Sequence, residues 1–190
     1  FVINPEGIGA IAYLTKRGEH FKKKLLAGYV LTCLGYGEKI HFKQSRRSDT
    51  IADSAAEIIL KDFEKYGIIP FFPHGSDEQQ YCSPGFNLPV GSLFRSQYGT
   101  FDEYHTSLDN KNFIRFENII EAVGVCESIA LALENNYSWK TSCMKGTPFL
   151  SSRGLYPTVH SLKSDTTWKE AMFWMLNLSD GENDLFSIAK

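Results

Sequence analysis

Residues 27–34 read Ala-Gly-Tyr-Val-Leu-Thr-Cys-Leu, an almost unbroken apolar run. It is shorter than an ordinary buried helix, and its β-branched content suits a central strand covered on both faces. The flanking segments carry other periods. Pro5 and Glu6 open a helix through about Lys16, with Ile8, Ile11, Ala12 and Leu14 on its apolar side. Ile40 to Gln44 alternates Ile40 and Phe42 with His41 and Lys43, the pattern of an outer strand. Asp49 and Asp53 lead a helical run over 52–65, with Ile51, Ala55, Ile58, Ile59 and Phe63 near helical spacing and Gly67 as a stop. Val2-Ile3, residues 68–72 and residues 88–94 are further short strand candidates, the second of them interrupted by Pro70. The longest helix falls over 112–134. Strands alternating with helices predict an α/β fold, a three-layer sandwich with a mostly parallel central sheet.

A Gly/Ser/Pro-rich shift near Lys145 to Pro157 predicts a linker over 145–164 between a domain over 1–144 and a helical appendage over 165–190. In the appendage, a helix over 165–176 is broken by Ser179-Asp180-Gly181, and a second helix starts near Glu182. Phe1-Val2-Ile3-Asn4-Pro5 reads as a strand already under way, so the chain is expected to be the later part of a larger domain.

The net charge of −2 argues against a nucleic-acid footprint, which needs clustered excess base. Cys33, Cys82, Cys126 and Cys143 form no CxxC pair, which excludes a zinc ribbon and gives no disulfide framework. No apolar run reaches the roughly 18–20 residues that span a bilayer. With no visible signal peptide, the expected compartment is the cytoplasm.

Two irregular segments carry chemistry, Pro73 to Val90 and Tyr104 to Asn110. Long loops dense in polar side chains are more often sites than connectors. His105 beside Thr106 and Asp109 is a zinc candidate, because an acceptor can hold its other ring nitrogen; a lone histidine is more often structural. Glu6, where a strand passes into a helix, could act as a general base. Its plainer role is a first-turn acid complementing the helix dipole. Asp77 could bind metal or orient a catalytic group, or simply bond its own turn.

Taken together, these words resemble the zinc aminopeptidase superfamily that includes glutaminyl cyclase. They resemble more closely its bacterial aminopeptidase-like branch with a C-terminal winged helix. Pro5-Glu6-Gly7-Ile8-Gly9 is similar to the superfamily's Glu-Glu-Ile-Gly helix start. Gly75-Ser76-Asp77-Glu78 is similar to its Ser-Asp-His word, with Leu88-Pro89-Val90 where a Gly-x-Pro strand begins. Tyr104-His105-Thr106-Ser107-Leu108-Asp109-Asn110 is similar to its His-Thr-x-x-Asp word. The likeness covers residues 1–135. Leu178 to Ala189 resembles the opening helices of the winged-helix appendage.

The resemblance implies a metal-dependent hydrolase of aminopeptidase type that takes a small peptide or amide substrate. Glu6 would be the general base and His105 a zinc ligand. Asp77 would stand in the hydrogen-bonded wall, and Asp109 behind His105. Gly7 stands where the dinuclear enzymes have a second, metal-binding Glu, so the implied centre has one zinc, with its other ligands expected upstream of residue 1. The alternative is a catalytically inactive module of the same fold that binds a ligand or a partner chain. Tyr81, Phe86, Phe94 and Arg95 are candidates to line the substrate pocket, Arg95 as a carboxylate clamp. No membrane partner is expected, and self-association is left open. The resemblance further implies that Glu6, Asp77 and His105 converge beyond the carboxyl ends of the strands, with Asp109 near the other ring nitrogen of His105.

Overall fold

Four strands, β1 (Gly28–Leu31), β2 (Ile40–Lys43), β3 (Tyr66–Ile69) and β4 (Val90–Phe94), pair in the order β1-β4-β2-β3. Pairs β1/β4 and β2/β3 are parallel and β2/β4 is antiparallel, so the fold is α/β on a mostly parallel open sheet. This computed structural model describes residues 1–155 and 167–190. The chain divides into two units, residues 1–134 and 135–190.

In the first unit, helices α1 (Ile8–Lys24), α2 (Ile51–Leu60), α3 (Glu78–Tyr81) and α4 (Phe116–Glu134) flank the sheet. Register assigns them to faces. Val90 of β4 packs with Leu14 of α1, with Cys82 just after α3, and with Leu88. One residue along, Gly91 and Leu93 lie on the opposite face with Phe42, since Phe42 pairs with Leu93 and its ring closes on Gly91. The hydroxyl of Tyr29, opposite Gly91, donates to the Ala52 carbonyl of α2 at 2.8 Å. Helices α2 and α4 pack together on that face. The period of two thus sorts α1 and α3 to one side and α2 and α4 to the other.

Helix α1 runs to Lys24 rather than to Lys16 because Leu14, Gly18 and Phe21 continue its inward stripe. Lys22, Lys23 and Lys24 then fall in the last turn, where cations suit the helix dipole. Helix α2 starts at a capping box. Buried Asp53 accepts Thr50 N at 2.9 Å and Thr50 Oγ1 at 2.6 Å, and also ties down Ser45 N and Ser45 Oγ, each at 2.6 Å.

Three sequence expectations are corrected here. Strand β1 lies at the edge of this sheet with Leu31 exposed, whereas all five residues of β4 are buried. Strand β2 is interior, not outer. Its polar alternates are satisfied by protein instead of water: His41 stacks on Phe94 and bonds the Arg95 carbonyl at 3.0 Å, and Lys43 is bonded to α3. Residues 1–5 form no strand, and Phe1, Val2 and Ile3 stand exposed.

The second unit holds α5 (Thr167–Leu178) and α6 (Leu185–Ala189) after a 3-10 turn at Ser151–Arg153. Lys140 bridges to Asp180, Thr141 N donates to the Ser179 carbonyl at 2.8 Å, and Gly181 N donates to the Trp139 carbonyl at 2.9 Å. Asp184 caps α6, accepting Ser187 N at 2.8 Å and the Asn136 amide at 2.8 Å. The expected linker over 145–164 lies partly outside the described residues, as does the expected helix start at Asp165. Among the described residues no helix is long and apolar enough to cross a membrane.

Candidate active site

Helix α1 returns through Leu25–Ala27 into β1, so it lies antiparallel to that strand and its first turn stands at the carboxyl ends of β1 and β4. Ligand sites of open α/β sheets occupy this end. The start of α1 is not built by a side-chain cap. Gly7 has φ +71, a left-handed conformation favoured by glycine, and its N–H turns onto Asp77 Oδ1 at 2.7 Å. Asn4 Nδ2 reaches the other Asp77 oxygen at 3.3 Å. One residue earlier in each segment, Ser76 Oγ donates to Glu6 Oε1 at 2.5 Å. Two adjacent pairs therefore lock the Asn4–Gly7 turn to the Ser76–Asp77 turn. Glu6 itself is exposed, and among the described residues only Oε1 is engaged.

Three further groups face the same end. Burial pushes the Cys33 thiol up, and the charges of Asp109 and Glu6 add to the shift against a lowering bond from Thr32. Burial also raises the Tyr104 hydroxyl, with Cys33, Glu6 and Tyr98 contributing. The loop over 97–114 thus brings Tyr104 and Asp109 within electrostatic reach of Cys33, and Tyr104 within reach of Glu6.

A family described as a domain of unknown function, DUF4910, matches residues 1–136. The chain belongs to the DUF4910 family. A winged helix-turn-helix family matches residues 137–190. A Clostridium acetobutylicum protein, provisionally named a polysaccharide biosynthesis protein with aminopeptidase-like domain, is 40% identical over 191 residues, covering 100% of this chain and 43% of its own length. The crystal structure of a provisionally assigned peptidase from Clostridium acetobutylicum superposes with a TM-score of 0.84 at 37% identity, over 97% of this chain and 40% of that one. The chain spans about two-fifths of the length of the relatives it matches. The first of these is named for an aminopeptidase-like domain and the second as a peptidase.

Within this DUF4910 domain, Glu6 and Asp77 meet through neighbouring turns as described. No hydrogen bond, ion pair or ring contact joins His105 to them among the described residues. Its ring stacks on Tyr104 with centroids 3.9 Å apart, and its backbone has φ +60. No hydrogen bond links Asp109 to its imidazole among the described residues; Asp109 N bonds the Thr106 carbonyl at 3.2 Å in a turn. The three-residue convergence is therefore present as a pair, Glu6 with Asp77, and the His105 loop approaches it through Tyr104.

Two of the four expected pocket-lining residues, Arg95 and Phe94, are buried in the fold instead. Arg95 is 3% exposed and cannot clamp a substrate, because its guanidinium is spent on fold contacts. It pairs with Glu121 and donates to the carbonyls of Gly37 at 3.3 Å and Asn118 at 3.3 Å. Phe94 is buried between His41 and Tyr98. Phe86 closes against Gly18 of α1, where no side chain would fit. Tyr81 is half-buried in the α1 cluster, and its hydroxyl is raised by burial and then by the charge of Asp77.

Sequence reasoning missed Ser76, Cys33 and Tyr104 as members of this end of the sheet. Ser76 had a signal, since it stands beside Asp77 in the word already singled out. Among the described residues no group of three or more His, Cys, Asp and Glu side chains could hold a metal ion. The donors among the described residues do not by themselves make up a zinc centre.

Proposed function

We propose that this chain is part of a hydrolase of aminopeptidase type that cleaves an amide bond next to a free amine, with Glu6 as general base. The arrangement of Glu6 supports this most directly: an exposed carboxylate at the carboxyl end of the sheet, one oxygen held by Ser76 at 2.5 Å. Its second oxygen takes the proton of a water attacking the amide carbonyl and returns it to the departing amine, so the proton count closes. Asp77 keeps the helix start in place through Gly7 and Asn4. Tyr104 lies within electrostatic reach of Glu6. A carboxylate aimed by a neighbouring hydroxyl loses less freedom when water binds than one left to rotate.

The mononuclear zinc centre belongs to the same reading as a further proposal. His105 would be its ligand in this chain, backed by Asp109, and the other donors would have to come from outside it. The alternative, a catalytically silent module that binds a ligand or partner chain, is favoured by one specific feature. The residue after Glu6 is Gly7, which has no side chain to bind a metal, and the nearby Asp77 carboxylate is already taken up by Gly7 N and the Asn4 amide. Metal analysis of the full-length protein together with assay on aminoacyl 4-nitroanilides separates the readings. The hydrolase reading expects bound zinc and turnover; protein without either is the silent module.

A further inference from the structure

Lys43 and Glu78 form an ion pair in the interior, 2% and 0% exposed, and nothing proposed so far uses them. Lys43 Nζ donates to Glu78 Oε1 at 2.8 Å, to the His74 carbonyl at 2.6 Å and to the Tyr98 hydroxyl at 3.3 Å. Glu78 Oε1 also accepts Ser76 N at 3.3 Å, while Oε2 is buried with no hydrogen-bond partner. Stability is a weak reason for such a pair. A buried carboxylate oxygen left unmatched is costly, and apolar replacement of buried ion pairs is often neutral or favourable.

The geometry offers a stronger reason. Lys43 grips both ends of the His74–Glu78 turn, one end through a carbonyl and the other through a carboxylate. Between them stand Ser76, whose hydroxyl reaches Glu6, and Asp77, which holds Gly7. Lys43 projects from β2, an interior strand hydrogen-bonded to β4 and β3 on its two sides. Gly75, at φ +151, leaves room for the Tyr98 hydroxyl and the Glu78 carboxylate to approach the turn.

We infer that Lys43, acting through Glu78, is the positioning residue that holds the Ser76 hydroxyl on Glu6 and the Asp77 carboxylate on Gly7. The inference rests on the hydrolase reading for its catalytic consequence, and on the turn geometry alone for its structural one. Lys43 touches no substrate. Its effect travels from the sheet to the turn and from the turn to the base.

The test uses the full-length protein in five forms: wild type, Lys43→Met/Glu78→Leu, Glu78→Gln, Ser76→Ala and the triple variant Lys43→Met/Glu78→Leu/Ser76→Ala. The double variant replaces both charges together and so avoids stranding one of them in the core. Turnover of aminoacyl 4-nitroanilides, amide hydrogen exchange and the urea midpoint are measured on each. The inference expects the double variant to lose kcat by tenfold to about 10²-fold with KM within about twofold, the signature of a misplaced group. Exchange at residues 75–78 should quicken about tenfold while β4 stays protected. Glu78→Gln keeps an acceptor for Lys43 and for Ser76 N but leaves the Lys43 charge unpaired, so it should retain most of kcat while its urea midpoint falls. Adding Ser76→Ala to the double variant should cost little more, because both act on one contact. Unchanged kcat together with unchanged exchange at 75–78 in the double variant overturns the inference. If wild type has no turnover, the hydrolase reading fails, and the exchange data alone decide whether Lys43 holds the turn.

Discussion

Ser76 Oγ donates to Glu6 Oε1 at 2.5 Å, across a chain separation of 70 residues. That bond makes Ser76 the nearest control on the proposed base. Ser76→Ala should lower kcat about tenfold or more, because the carboxylate is no longer held at one rotamer. Stability should fall by only about 1 kcal/mol, the usual net loss for a single hydrogen bond. Equal losses in kcat and folding yield would mean that Ser76 is only a fold contact.

Gly7 is open to a side chain sterically, since a Cβ there would meet nothing beyond its chain neighbours within 4 Å, yet its φ is +71. Any cost of Gly7→Ala is therefore conformational, about 1–3 kcal/mol for holding an L residue at φ +71 and ψ −80. Urea denaturation read at a fixed m-value checks it. A neutral result would show that the Asn4–Gly7 turn relaxes and that Asp77 releases its hold.

Arg95→Ala should be destabilising by about 3 kcal/mol, with KM for any substrate unchanged. The guanidinium anchors the end of β4 to α4 and to the loop carbonyls at Gly37 and Glu38, and removing one partner of such a site strands the others. Glu121 is half-exposed, so its loss should cost less than that of Arg95. A rise in KM with intact stability would instead return Arg95 to the substrate pocket.

Burial raises the thiols of Cys33, Cys82 and Cys126 above their ordinary value of 9.0, and it raises the Tyr29 hydroxyl as well. A folded-state pKa above the unfolded one gives stability that is full below the unfolded value and lost as pH rises through the folded one. The urea midpoint should therefore be flat from about pH 6 to 8 and fall above about pH 9. A flat profile into strong alkali would show that these groups are solvated. Asp184 works in the opposite sense. Burial pushes it up, but bonds from Ser187 and Asn136 outweigh that and lower it below 3.8. The α6 cap should therefore hold above that value and loosen as pH falls through the folded one, read at the Ser187 amide by NMR.

The helices and strand positions were legible because their apolar periods are local. Ile51 to Leu60 and Val90 to Phe94 are set by which residues must leave water. Strand order was not legible. His41 and Lys43 read as solvent-facing because their partners, Phe94 and Glu78, lie far along the chain, and no local pattern announces a buried ion pair. The same holds at the candidate site. Glu6 and Asp77 were found by their local words, and their adjacency depends on a glycine conformation that only the fold reveals. His105 was placed with them by resemblance, whereas its ring stacks on Tyr104 in a loop whose turns are local.

The most direct measurement of the central claim is amide hydrolysis by full-length Glu6→Gln beside wild type, with metal content determined on the same samples. Glutamine keeps the shape and an acceptor for Ser76 but cannot take a proton from water. The hydrolase reading predicts turnover in wild type and a loss of about 10²-fold or more in Glu6→Gln, at equal metal content and equal thermal stability. Wild-type turnover matched by Glu6→Gln would contradict Glu6 as the base, and no turnover in either would leave the silent binding module.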